Sequence, residues 1–183
     1  MKILLITILI LASCDELQGQ SVNLAKSNGE VTQLIHLKGE DQHGNDIIFA
    51  PPGENPLLIF FLPKPDSRRE AQSLMDEVFT YFERLDNHSG SSVNKVLVVE
   101  PYRTGPLVNR IFRSRLSDKP FPVLLDSDGE IIRKAYHEPY TILAWLINQD
   151  GNIPYKTLHP FPDKEFQIMR DFTNSLLDQT AQQ

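Results

Sequence analysis

Apolar residues along this chain fall into short runs and periodic stripes, separated by polar stretches rich in glycine and proline. Leu57–Leu62 (LLIFFL) and 95–100 (KVLVVE) are apolar almost throughout, which is the mark of strands covered on both faces. Residues 31–38 (VTQLIHLK) and 46–49 (DIIF), parted by the turn-forming GEDQHGN, predict a β-hairpin. From Ser67 to Leu85 the spacing predicts a helix, with Leu74, Val78, Phe79, Phe82 and Leu85 forming its buried stripe. Ser67 stands where it can cap that helix, and Glu70, three residues on, is the partner a capping box requires.

Beyond the break at NHSGSS, residues 104–116 predict a second helix with Val108, Ile111, Phe112 and Leu116 inward. Val123–Asp126 reads as a strand, Ser127-Asp128-Gly129 as a turn, and 130–136 as a short helix or an extended piece. Residues 143–148 (LAWLIN) and 153–158 pair around Gln149-Asp150-Gly151-Asn152 as a hairpin. A last helix opens at Pro162 or Asp163 and places Phe166, Met169, Phe172, Leu176 and Leu177 on its apolar face. The order β-hairpin, β, α, β, α, β, β-hairpin, α implies an α/β domain: a mixed sheet with helices on both faces. There is no internal repeat and no sign of a second domain.

The first residues, MKILLITILILASC, have a different character. Lys2 is followed by an apolar run, Ile3 to Leu11, interrupted only by Thr7. That run is too short to span a membrane, which takes about 20 residues, and it suits a signal peptide. Leu11-Ala12-Ser13-Cys14 matches a lipobox, so residues 1–13 are expected to be a lipoprotein signal peptide and Cys14 the lipidated residue. An ordinary cleaved signal, or an uncleaved anchor with an incidental cysteine, is the alternative. Residues 14–30, polar and with no apolar period, read as a flexible tether before a folded domain at 31–183. The implied location is the cell envelope, lipid-anchored and facing the periplasm or exterior. Asp15 resembles the enterobacterial signal for retention in the inner membrane.

Cys14 is the only cysteine, so once acylated the chain would have no disulfide, free thiol or thiolate metal ligand. The net charge is −6, and mild acidity argues against nucleic acid or anionic lipid as the main ligand. The membrane is therefore a partner through acyl chains, not through charge.

Four stretches carry a family resemblance. They are Asp41-Gln42-His43-Gly44 with Ile47-Ile48; Leu57 to Pro63; Phe121-Pro122-Val123-Leu124-Leu125-Asp126-Ser127-Asp128-Gly129-Glu130; and Trp145-Leu146-Ile147-Asn148-Gln149-Asp150-Gly151-Asn152-Ile153. In this order they resemble the thioredoxin-like superfamily, in its redoxin or AhpC/TSA (peroxiredoxin-like) branch. The resemblance implies a thioredoxin-like three-layer sandwich across most of residues 31–180.

It also implies where redox residues would stand. A C-x-x-C pair after the central strand falls on Asp66 and Arg69; the peroxidatic cysteine after Phe61-Leu62-Pro63-Lys64 falls on Glu70. The family's cis-proline falls on Ile142, with Pro139 the nearest proline. A carboxylate can neither exchange a disulfide nor attack a peroxide. The expectation is a redox site without its thiols, in a binding or scaffolding module that meets a protein partner in the envelope. The alternative is an enzyme: a divergent redoxin-type oxidoreductase or antioxidant protein with a thiol supplied by a partner, or a chain using carboxylate chemistry; a third reading leaves Cys14 unmodified as a thiol.

Other chemistry is thin. Asp66-Ser67-Arg68-Arg69-Glu70 can be read as an anion or acidic-partner site at a helix start, or as an exposed, self-capped helix end; the second is preferred. His36, His43, His88, His137 and His159 have no metal-ligand spacing, and a copper site at His137 would lack thiolates, so no metal and no cofactor is expected. Asp126, Asp128 and Glu130 are taken as turn chemistry outside the catalytic edge, and Trp145 as core.

Overall fold

The computed structural model describes residues 21–27, 30–89, 93–102, 105–135, 142–158 and 162–180. Its strands form two sheets. β1 (Ser21–Ser27), β2 (Glu30–Glu40) and β3 (Asp46–Phe49) make an antiparallel sheet in the order β1-β2-β3. The larger sheet, of order β6-β5-β4-β7-β8, contains β4 (Leu57–Leu62), β5 (Asn94–Val99), β6 (Val123–Leu125), β7 (Leu143–Ile147) and β8 (Tyr155–Leu158). β4, β5 and β6 are parallel; β7 runs antiparallel to β4, and β8 to β7.

Helices α1 (Arg68–Ser89) and α2 (Pro106–Leu116) make the two crossovers between parallel strands. α3 (Glu130–Ala135) and α4 (Asp163–Thr180) complete the fold. All six side chains of β4 are buried, because both faces of its sheet are covered. Leu58, Phe60 and Leu62 pack with residues of α1 and α4, where the Phe60 ring meets Tyr81 and Phe82 edge-on at 5.3 and 5.1 Å. Leu57, Ile59 and Phe61 pack with Leu34 and Leu37 of β2, Ile131 and Ile132 of α3, and Trp145, whose ring lies 4.9 Å from Phe61. Each such large apolar side chain contributes about 1.5–3 kcal/mol on burial. The layers are those of a three-layer α/β sandwich, as the pattern of runs implied.

Two details depart from expectation, and one open choice is decided. The stretch read as a tether ends early: Ser21–Ser27 is β1, paired along β2 from Ser21–Lys38 to Ser27–Glu30. Pairing runs through the backbone, and β2 offers a long edge, so a polar strand with alternating Val22 and Leu24 can add to it. Ile111 and Phe172, expected inward, are 50% and 42% exposed. Phe172 stacks on Tyr155 at the β8 edge instead of entering the core. Residues 130–135 resolve the choice between helix and extended chain in favour of helix.

The register of β1 on β2 slips between Asn23 and Leu24, which face His36 and Leu34, so Ile35 is an extra residue on β2. This bulge lets Leu34 and Leu37, three apart, both reach the core. The two sheets are also sewn together by polar contacts. Gln42, nearly buried, accepts the Val123 N–H at 2.8 Å and donates to Phe121 O at 3.0 Å. Leu34 N–H donates to Gly151 O at 2.7 Å, and a Cβ at Gly151 would lie 2.5 Å from Leu34 O. Glycine at 151, at φ +85°, is thus required both by the turn and by this close approach.

Candidate functional site

Parallel β4, β5 and β6 end at one edge of the sheet, and the loops leaving them carry most of the residues singled out from the sequence. The strand ends are tied laterally: Glu100 N–H donates to Leu62 O and Asp126 N–H to Val99 O, both at 2.9 Å. The Glu100 carboxylate accepts the Lys64 N–H at 3.3 Å. Ile142, just before antiparallel β7, comes back to this same edge, because Leu143 pairs with Phe61 near the end of β4. Asp66, Arg69, Glu70 and Ile142 are therefore brought to one region.

Two of them, Asp66 and Glu70, take part in capping α1. Glu70 N–H donates to Ser67 Oγ at 3.2 Å, and the Glu70 carboxylate accepts the Asp66 N–H at 2.8 Å. Ala71 N–H closes the first helical turn onto Ser67 O at 3.0 Å. This is the expected capping box with its return bond one residue earlier, on Asp66 instead of Ser67. The chain's own carboxylate thus occupies the mouth of the helix, which favours the self-capped reading of 66–70 over an anion site. Asp66 and Arg69 are exposed, and Ile142 is buried in the core. The Thr141–Ile142 peptide and Pro139 lie outside the described residues, as do Cys14, Asp15, His137 and His159.

The carboxylates at the end of β6 sit on this edge too, two strands from the Asp66 loop, and not outside it as expected. The physical reason is the parallel pairing of β4, β5 and β6, which stacks all three strand ends. Asp126 is fully buried, and its Oδ2 accepts the Ile132 N–H at 2.8 Å, capping α3 from within. Its Oδ1 has no hydrogen-bond partner among the described residues. Burial pushes the Asp126 carboxyl up to about 6, against the N–H groups of Ile132 and Ile131 and with the neighbouring Asp128 adding to the rise. Asp128 is held below its ordinary value by the Glu130 N–H, and also by its contact with Asp126. Neither the burial of Asp126 nor the bridging role of Glu100 follows from composition; both come from strand order.

Trp145 is 1% exposed and belongs to the core. Among the described residues no trio of His, Cys, Asp or Glu is placed to hold a metal, and no helix is long and apolar enough to cross a membrane. A feature the sequence did not announce is a cleft of about 670 Å³ between α1 and α2, opening beside the Asp66 loop.

Strand order, the crossover through α1 and the returning β7–β8 hairpin define a recognisable architecture, and solved structures match it. The exposed lipoprotein thioredoxin Etrx1 of Streptococcus pneumoniae superposes with a TM-score of 0.55 at 12% identity, over 75% of this chain and 98% of its own. The chain has a thioredoxin-like fold. StoA of Bacillus subtilis matches this thioredoxin-like chain with a TM-score of 0.53 and 20% identity, over 75% of it and 96% of StoA. The thioredoxin domain of a thiol-disulfide oxidoreductase from Bacteroides vulgatus gives 0.54 and 14%, over 82% and 100%. No family model and no curated protein sequence matches the chain. Identities this low define the fold, and a thioredoxin-like fold hosts many activities.

Proposed function

We propose that the protein is a lipid-anchored module of the bacterial cell envelope whose thioredoxin-like domain binds a protein partner without thiol chemistry of its own. The carrying observation is the loop after β4. The positions where the redoxin resemblance would put redox cysteines hold Asp66, Arg69 and Glu70, and Glu70 is committed to capping α1. A thiolate at such a helix start would be activated by the helix dipole; a carboxylate there satisfies N–H groups and is a poor nucleophile. The only cysteine, Cys14, lies in the lipobox, and acylation would consume its thiol. Leu11-Ala12-Ser13-Cys14 supports the anchor, and the name of Etrx1, an exposed lipoprotein thioredoxin, supports an envelope location. Asp15 favours the inner membrane, and the FLPK and FPVLLDSDGE segments favour the redoxin branch.

Insulin reduction and peroxide consumption by the purified protein test this reading. Rates equal to the blank are expected. Turnover that tracks protein concentration would instead support the second reading, a divergent oxidoreductase, which the names of the matched structures favour.

A further inference from the structure

The cleft between α1 and α2 extends the binding-module reading, on which the inference rests. α1 follows β4 and α2 follows β5; each returns to the start of the next parallel strand, so the two helices run in the same direction. One wall carries Ala71, Met75 and Phe79 and the other Ile111, Phe112 and Leu116. The α1 row is spaced i, i+4, i+8, and on α2 Phe112 and Leu116 are likewise one turn apart, with Ile111 beside them. From Arg68 to Phe79 the α1 wall runs about 16 Å at 1.5 Å per residue, roughly three helical turns. Leu107 and Ile111, at i and i+4 on α2, are 70% and 50% exposed and continue the apolar surface onto the lip.

The charges around this trough differ from those of the chain as a whole. The protein carries a net −6, yet α2 (PLVNRIFRSRL) has three arginines and no acidic residue. Arg68, Arg115 and Lys119 line the cleft, against Asp76 and Asp118. Asp76 already accepts the Gln72 amide at 2.8 Å. Arg68 and Arg115 are exposed, and neither forms an ion pair among the described residues. Lys119 holds its ammonium 4.4 Å from the centre of the Phe79 ring, marking the far end of the trough.

We propose that this cleft receives one amphipathic helix of a partner protein, with an apolar stripe flanked by acidic residues. Two parallel walls with ridges at i, i+4 are shaped for a third helix, whose side chains interdigitate with theirs. The free guanidinium groups select acidic flanks. A flat bilayer is a poorer occupant, because it does not reach Met75, which is buried along the α1 wall.

The test uses the purified full chain and a fluorescein-labelled, 14-residue helical peptide carrying Leu at i, i+3, i+4 and i+7 with Glu on both sides. A second peptide has Lys in place of Glu, and vesicles of phosphatidylglycerol and phosphatidylcholine form a third arm. Fluorescence anisotropy is expected to give saturable binding of the Glu peptide, at least about tenfold tighter than the Lys peptide. Ile111→Asp and Arg115→Glu should each weaken the Glu peptide by about tenfold or more. Ile48→Asp, an exposed apolar site on β3 that does not line the cleft, should leave peptide binding unchanged and so shows that any loss is local, and thermal melts should stay unchanged for all three. No saturable binding, equal binding of both peptides, or insensitivity to Ile111→Asp overturns the proposal. So does vesicle binding that Ile111→Asp abolishes while the Glu peptide fails to bind. Insulin reduction is measured on the same samples: activity there removes the non-catalytic reading, whereas inactivity with failed peptide binding removes only this cleft as the binding surface.

Discussion

Asp126→Asn exchanges a carboxyl with no solvent access for a neutral amide of nearly the same shape. The amide oxygen can still accept the Ile132 N–H, so the cap of α3 survives the change. What disappears is titration. In the fold Asp126 has a pKa of about 6, raised from its ordinary value of 3.8 chiefly by burial. A group whose pKa is higher in the folded state holds more protons when folded. Raising the pH between the two values therefore costs stability, and below 3.8 both states are protonated and nothing is lost. At about 1.36 kcal/mol per unit, the loss between pH 3.5 and pH 7.5 comes to about 3 kcal/mol. The variant has no such term. Urea unfolding followed by circular dichroism at half-unit pH steps should show the stability of Asp126→Asn, relative to the parent, climbing by about 3 kcal/mol across that window. The climb should be centred between pH 4 and 6. Asp128→Asn, which removes the neighbouring charge, should move the parent's midpoint downward. Parallel profiles for parent and Asp126→Asn would show that the carboxyl titrates as it does in the unfolded chain and is not desolvated in the fold.

Other substitutions probe the rest of the frame. Ser67→Ala removes the acceptor for the Glu70 N–H and should cost about 1 kcal/mol in chemical unfolding; no change would show that the helix start is held by other contacts. Gln42→Ala leaves Phe121 O and Val123 N unpaired in a buried seam and should cost about 2–4 kcal/mol, read from the urea midpoint. A loss under about 0.5 kcal/mol would show that the seam is not held by Gln42. Cys14→Ala should shift the protein from the membrane to the soluble fraction and abolish labelling by radioactive palmitate, with the melting temperature unchanged. A variant that still sediments with membranes would end the anchor hypothesis.

The parts of the fold that depend on one-dimensional pattern were readable from the chain. LLIFFL could only be a strand covered on both sides, and the Leu74–Leu85 stripe could only bury as a helix against it. The Ser67–Glu70 cap was legible because its chemistry is local. Features that depend on what lies alongside in space were not. β1 is held by its pairing with β2, so its own polar sequence resembled a tether. The bulge at Ile35 hid the inward pair Leu34 and Leu37 behind a broken alternation. Asp126 looked like an ordinary turn aspartate, and only the stacking of three parallel strand ends encloses it. Ile111 matched an inward period, yet among the described residues no element covers that side of α2. The positions of Asp66, Arg69 and Glu70 follow from their distance along the chain from β4, whereas the cleft lies between two helices and leaves no mark in the linear pattern.

The early start of β1 sets a distance. With Cys14 acylated as proposed, only residues 14–20 separate the lipid from the first strand. Fully extended, those residues reach no more than about 25 Å, at most about 3.6 Å each. A leash running to residue 30 would have allowed roughly twice that or more. The domain would then ride within about one domain diameter of the bilayer, with its loops close to the headgroups. A partner that is itself embedded in, or attached to, the same membrane meets such a domain by lateral diffusion, while a freely diffusing one must find it against the lipid surface. Anchorage on so short a leash would therefore choose among partners by where they reside as well as by how they fit.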